Sequence, residues 1–125
     1  AGVLIFWVNP PSQLSLVYNP VSLRVNDFTD NLKENVPMII DIRTPEEFTT
    51  GHLPGAINLD FYDPDFKNKL ENLNTEENYA IYCRTGNRSK EALEMMSNLG
   101  FSQVTELNGG IESWVQDRQR ICLGC

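Results

Sequence analysis

From Val21 onward, short β-rich runs alternate with stretches of helical spacing, and this alternation limits the fold more than any other feature of the chain. It is the pattern of βαβ units built on a parallel sheet. Strands are expected at 21–25, 38–42, 56–59, 79–83 and 104–107. The helix starts between them are legible. Thr44-Pro45-Glu46-Glu47 combines a capping hydroxyl, proline at the first helical position and Glu at the third. Asp63-Pro64 gives a similar signal, and Phe66, Leu70 and Leu73 follow at helical spacing. Ala92, Leu93, Met95, Met96 and Leu99 form an apolar stripe that stops at Gly100, a suitable C-terminal cap.

With 125 residues, 41% hydrophobic and 22% charged, the chain suits one domain with a real core. No repeat or Gly/Ser tract divides it. The expected organisation is an extended arm over 1–20 containing Pro10, Pro11 and Pro20, a domain over 21–117 and a tail over 118–125. Ten Lys or Arg against 17 Asp or Glu give a net charge of −7. Such a field repels phosphate backbones and anionic lipid, so neither nucleic acid nor a membrane surface is the expected partner. Residues 1–23 carry no charged side chain, but the apolar run 3–8 falls far short of the roughly 20 residues of a membrane span. A basic leader segment is missing, although the end of a trimmed leader has the same appearance. Cytoplasmic and exported locations therefore both stay open, with a free thiol favouring the reducing cytoplasm.

Cys83, Cys122 and Cys125 are too few for a disulfide framework, and their odd number leaves at least one thiol unpaired. Cys83 is the informative one. It ends the apolar run Tyr79-Ala80-Ile81-Tyr82 and opens Cys83-Arg84-Thr85-Gly86-Asn87-Arg88-Ser89-Lys90, ahead of a helical stripe. In open α/β sheets the ligand crevice lies beyond the carboxyl ends of the strands, where such a cysteine would sit. Gly86 permits a tight loop whose amides point inward, and the helix start adds its positive dipole end. Arg84, Arg88 and Lys90 place three cations in the segment, which holds no carboxylate. That setting favours the thiolate form of a cysteine. A buried strand-end cysteine beside solvated arginines accounts for each part singly, but not for their coincidence. Thr85 and Ser89 offer hydroxyl groups to an anion, and Ser89 is also placed to cap the helix.

This segment resembles the active-site loop of the rhodanese family of sulfurtransferases. The likeness extends over roughly 21–115. Asp41-Ile42-Arg43-Thr44-Pro45-Glu46-Glu47-Phe48, Gly51-His52-Leu53-Pro54-Gly55-Ala56 and Gly109-Gly110-Ile111-Glu112-Ser113-Trp114 are similar to further family signatures. The resemblance implies an α/β fold with a central, mostly parallel five-stranded sheet and helices on both faces. It also implies that Cys83 takes sulfane sulfur from thiosulfate or a similar small anionic donor, becomes a persulfide, and passes the sulfur to cyanide or a thiol, including a thiol on a protein acceptor. Arg84, Thr85, Gly86, Asn87, Arg88 and Ser89 would then bind substrate, with Arg84 and Arg88 on the dianionic donor. No metal or organic cofactor is expected. Asp41 and Arg43 end a strand beside the crevice, and by the same likeness Asp41 braces the loop through hydrogen bonds.

Two other functions share these features. A rhodanese-like module without catalysis would bind or regulate, since fold does not establish activity. A Cys-dependent phosphatase or arsenate reductase uses a related cup, but phosphatases place five residues between Cys and Arg. Cys83 and Arg88 enclose only Arg84, Thr85, Gly86 and Asn87. His52, the single histidine, is expected to be structural within its Gly-His-Leu-Pro-Gly turn, and Trp114 to belong to the core. Cys122-Leu123-Gly124-Cys125 reads as a frayed tail, or else as a thiol pair that receives sulfur from Cys83.

Overall fold

A computed structural model describes residues 20–125, so the charge-free arm expected over 1–20 lies, apart from Pro20, outside the described residues. The chain runs β1 (Val21–Leu23), α1 (Val25–Asn35), β2 (Met38–Asp41), α2 (Pro45–Thr49), β3 (Ile57–Asn58), α3 (Phe66–Glu71), β4 (Asn78–Tyr82), α4 (Asn87–Asn98), β5 (Gln103–Leu107) and α5 (Gly110–Gln116). The five strands form one sheet in the order β1-β5-β4-β2-β3, and every pairing is parallel. β4 is thus central, hydrogen-bonded to β5 on one side and β2 on the other.

Side-chain parity along β4 divides the core in two. Tyr79, Ile81 and Cys83 point to the face covered by α3 and α4, where Phe66, Leu70, Ala92 and Met96 pack. Ala80 and Tyr82 point to the opposite face, against Phe28 of α1 and Ile111 and Trp114 of α5. Because both faces are covered, the strand runs buried from Tyr79 onward without polar alternation, as buried parallel strands do. The same parity directs Cys83 beneath the start of α4.

Helix starts follow the local chemistry. Thr44 and Glu47 close a reciprocal capping box: the Glu47 amide donates to Thr44 Oγ1 at 3.2 Å, and the Thr44 amide donates to Glu47 Oε1 at 3.0 Å. At Asp63-Pro64 the helix is delayed to Phe66, because Asp63 first closes a turn by accepting from the Asp65 amide. Two helices were not foreseen. The expected strand 21–25 stops at Leu23, and Val25 instead opens α1, whose Val25, Phe28 and Leu32 form a sparse buried stripe among polar residues. The glycine pair 109–110 opens α5, with Gly109 at the cap in a left-handed conformation (φ 85°).

The C-terminal residues are docked, not frayed. Cys122 exchanges both backbone hydrogen bonds with His52, at 3.1 and 2.7 Å, and Ile121 packs on the α1/α5 face of the core. The Trp114 indole donates to the Arg120 carbonyl at 2.9 Å. Among the described residues, no helix is long and apolar enough to cross a membrane.

α5 is fixed to the end of β4 by its own N-terminal amides: Ile111 donates to the Cys83 carbonyl at 3.0 Å and Glu112 to that of Arg84 at 3.2 Å. This close approach requires Gly110, where a Cβ would stand 2.3 Å from the Arg84 oxygen on a backbone with φ +64°. Gly110→Ala is expected to lower stability by about 2–3 kcal/mol, read from the urea midpoint, with Gly100→Ala as the control that meets open space.

Candidate active site

The loop 83–86 turns the chain from β4 into α4, and the sulfur of Cys83 occupies the position of the missing helix cap. Gly86 is the N-cap residue, adopts φ 111° and has no side chain to satisfy the first-turn amides. Cys83 Sγ accepts from the Gly86 amide at 3.1 Å and from the Ser89 amide at 3.4 Å. The inward-facing amides expected of the loop are therefore trained on the thiol. Cys83 is 1% exposed and is the free cysteine among the described residues.

The cations of the loop do not form a bare basic patch. Each is met by a carboxylate brought in from a distant part of the sequence. Arg88 makes a two-pronged ion pair with Glu47 of α2, at 2.8 and 3.0 Å, and its guanidinium lies over the Tyr62 ring at 5.5 Å. The Arg88 hydrogen bond is the main reason that the Glu47 carboxyl is lowered to about 2. Conversely, the hydrogen bond to Glu47 raises Arg88 above its ordinary value, with a smaller contribution from the charge of Cys83. Arg84 points outward, its side chain 62% exposed, and pairs with Glu112 at 3.0 Å. Lys90 Nζ stands 3.9 Å from Glu106. The sequence segment is free of carboxylates, but its surroundings supply Glu47, Glu106 and Glu112, which offset the expected excess of positive charge. Thr85 and Asn87 are exposed on the lip of the loop.

Asp41 and Arg43 are buried beside the end of β4, but they brace each other and not the 83–88 loop. Arg43 donates from its amide, Nε and Nη2 to Asp41, the shortest contact being 2.6 Å, and Nη2 also donates to the Gly51 carbonyl at 2.7 Å. The Tyr82 hydroxyl donates to Asp41 at 2.6 Å and accepts from the Leu53 amide at 3.0 Å. Burial, and then the charge of Asp41, push the Tyr82 phenol well above its ordinary range. Burial pulls the Arg43 guanidinium down, but the hydrogen bond and charge of Asp41 outweigh it and hold Arg43 above its usual value. The link to the loop is indirect, through the Tyr82 backbone that precedes Cys83.

Ser89 does not cap α4. It lies in the first turn, fully buried, with its hydroxyl between Cys83 Sγ at 3.4 Å and the carboxylate of Glu106 on β5. Glu106 and Glu47, with Glu112 and Tyr62 at the rim, are residues of this site that the sequence did not point out as such. Glu47 was visible only as a capping residue, while Glu106 stands in β5 between Val104 and Leu107, both buried, which is the signal that could have revealed it.

His52 stacks on Phe48 with ring centroids 3.9 Å apart and holds the docked tail, and Trp114 is in the core. Cys122 and Cys125 are joined in a disulfide, so in this state neither offers the free thiol that would receive sulfur. Among the described residues, no group of three or more His, Cys, Asp or Glu side chains is placed to hold a metal.

Comparison with known proteins finds relatives of this sequence and fold. The family model described as a rhodanese-like domain matches residues 24–117. Thiosulfate sulfurtransferase GlpE of Ectopseudomonas mendocina is 33% identical over 84 residues, covering 66% of this chain and 74% of its own length. Thiosulfate sulfurtransferase 16, chloroplastic, of Arabidopsis thaliana is 32% identical, covering 62% of this chain and 73% of its own. Among solved structures, a rhodanese-related protein from Thermoplasma volcanium superimposes with a TM-score of 0.72 at 30% identity, over 82% of this chain and 97% of that one. A strand-end cysteine cradled by helix amides on a five-stranded parallel sheet, together with these matches, places the chain in the rhodanese-like domain family.

Proposed function

We propose that the protein is a sulfurtransferase that carries sulfane sulfur on Cys83. The observation that supports this best is the convergence of the Gly86 and Ser89 amides on Cys83 Sγ at the start of α4. Preorganised N–H donors in a site shielded from water stabilise the negative charge that a thiolate or persulfide sulfur carries, at no cost in reorganisation. The similarity to proteins named thiosulfate sulfurtransferases supports the same reading.

In the first step the Cys83 thiolate attacks the outer sulfur of a thiosulfate-like donor. A new S–S bond forms at Cys83, the donor's own S–S bond breaks, and sulfite leaves with its electron pair. In the second, cyanide or a thiolate attacks the outer sulfur of the persulfide and releases Cys83 as thiolate, giving ping-pong kinetics. Arg88 supplies the nearby positive charge, aligned by Glu47, and Arg84 and Thr85 on the lip meet the oxygens of the incoming anion. With Cys83 1% exposed, the cradle favours donors that present a single small sulfur atom.

Thiosulfate added to the reduced protein should raise its intact mass by one sulfur atom, with the gain absent in Cys83→Ala and reversed by cyanide. A protein that gains nothing under these conditions would be a binding or regulatory module on the same fold. Arg88→Met should lower kcat/KM for thiosulfate about tenfold or more, as loss of a charged contact to an anion does. Glu47 gives a pH dependence of known sign. Its folded carboxyl titrates at about 2, below its ordinary 4.5, so its stabilising effect is complete above about pH 4.5 and is lost as pH falls toward 2. Glu47→Gln should cost about 1–2 kcal/mol at neutral pH and flatten the loss of thermal stability across that acidic window.

A further inference from the structure

We propose that Glu106 is a positioning residue that holds the proton of the Cys83 thiol, reached through the hydroxyl of Ser89. The inference rests on the reading of Cys83 as the sulfur carrier and supplies that site with the proton acceptor it otherwise lacks, since His52 lies at the docked tail.

Cys83, Ser89 and Glu106 form a continuous buried row at 1%, 0% and 0% exposure. Glu106 accepts from Ser22 of β1 through one oxygen and from Ser89 of α4 through the other. The charged group facing the carboxylate is Lys90 of α4, at 3.9 Å and shared with Asn108 at 3.3 Å. On the sulfur side, Arg88 is already bound to Glu47, and Arg84 and Glu112 pair on the exposed lip. A serine hydroxyl has one proton to donate. The Gly86 carbonyl, at 3.3 Å, is a second acceptor for it, but the charged Glu106 oxygen is nearer. With the proton given to Glu106, Ser89 Oγ turns a lone pair toward Cys83, which fits the thiol donating to it at 3.4 Å.

The row therefore has two arrangements with the same number of protons. In one, Cys83 S–H donates to Ser89 Oγ, and Ser89 O–H donates to the Glu106 carboxylate. In the other, the sulfur–hydrogen bond has broken, the proton has passed to Ser89 as the serine proton passed to Glu106, and the hydrogen bonds run in reverse. The protonated Glu106 then donates to Ser89, and Ser89 donates to a thiolate that also receives the Gly86 and Ser89 amides. Placing two negative charges in this buried row is costly, which couples the groups so that the pair holds one proton between them. When a persulfide forms, its charge occupies the place of the thiolate and the proton stays on Glu106.

The test follows the rate of Cys83 alkylation by iodoacetamide against pH, in the wild type, Glu106→Gln and Ser89→Ala. The uncharged probe needs no sulfur donor. A coupled pair gives the wild type a rise in two steps. Glu106→Gln, with the repelling charge removed, gives a single rise below the wild type's upper step and alkylation about tenfold faster at neutral pH, whereas Ser89→Ala loses the hydroxyl that bridges to the thiolate and keeps a single rise at higher pH, with slower alkylation. A single step in the wild type overturns the proposal. Two steps persisting in Glu106→Gln show that the second group is not Glu106. Two steps persisting in Ser89→Ala show that the coupling does not run through the hydroxyl, and either result overturns it. Ser89→Ala removes one oxygen only and carries the test should Glu106→Gln fail to fold. Absence of the thiosulfate adduct in an otherwise two-step protein overturns the sulfurtransferase reading alone, and turnover with a one-step profile overturns the relay alone.

Discussion

The contact on which the site depends is that of the Cys83 sulfur with the exposed amides at the start of α4. A helix beginning at glycine leaves its first N–H groups without a side-chain acceptor, and here the end of the neighbouring strand supplies one. Sulfur is a weak acceptor when protonated and a much better one when charged. The requirement of the helix and the function proposed for Cys83 therefore point the same way: two amides at the uncapped start of α4 are the ones that meet the sulfur. α5 reinforces this from below, because its own first amides bind the Cys83 and Arg84 carbonyls and fix the backbone from which the thiol projects.

Charge at the site is balanced across the fold and not along the sequence. Arg84, Arg88 and Lys90 are close neighbours in the chain, but their partners come from α5, α2 and β5. Each ion pair ties the loop to a different element, so the loop is positioned by its own charges. Glu47 serves twice, closing the capping box of α2 and aligning Arg88. One carboxylate thus couples the start of a five-residue helix to the rim of the site.

Much of this architecture was legible in the residues because it rests on local chemistry. The capping box at Thr44, the stripe ending at Gly100 and the apolar run into Cys83 each state their structure within a few positions. α1 was hidden because Val21, Leu23 and Val25 continue a strand-like rhythm, while the residues that form its buried stripe are separated by Asn and Asp. α5 was hidden behind two glycines, which are poor helix formers but are required where α5 meets the loop. The partners of the site were less accessible still. Nothing near Cys83 in the sequence announces Glu106, which joins the site only because β5 pairs with β4 and directs that side chain under Ser89. Asp41, expected to brace the loop, instead binds the nearby Arg43 and also Tyr82, which only the pairing of β2 with β4 brings beside it.

The central place of β4 has one more consequence. With a parallel neighbour on each side and both faces covered, β4 is enclosed more fully than the other strands of the sheet, and its amides are expected to be among the last to exchange with solvent. The sulfur itself cannot yield to an arriving molecule. Any accommodation of a guest falls to the exposed side chains of Arg84, Thr85 and Asn87 on the lip, because the Gly86 and Ser89 amides and the Arg88 ion pair hold the loop against the strand beneath.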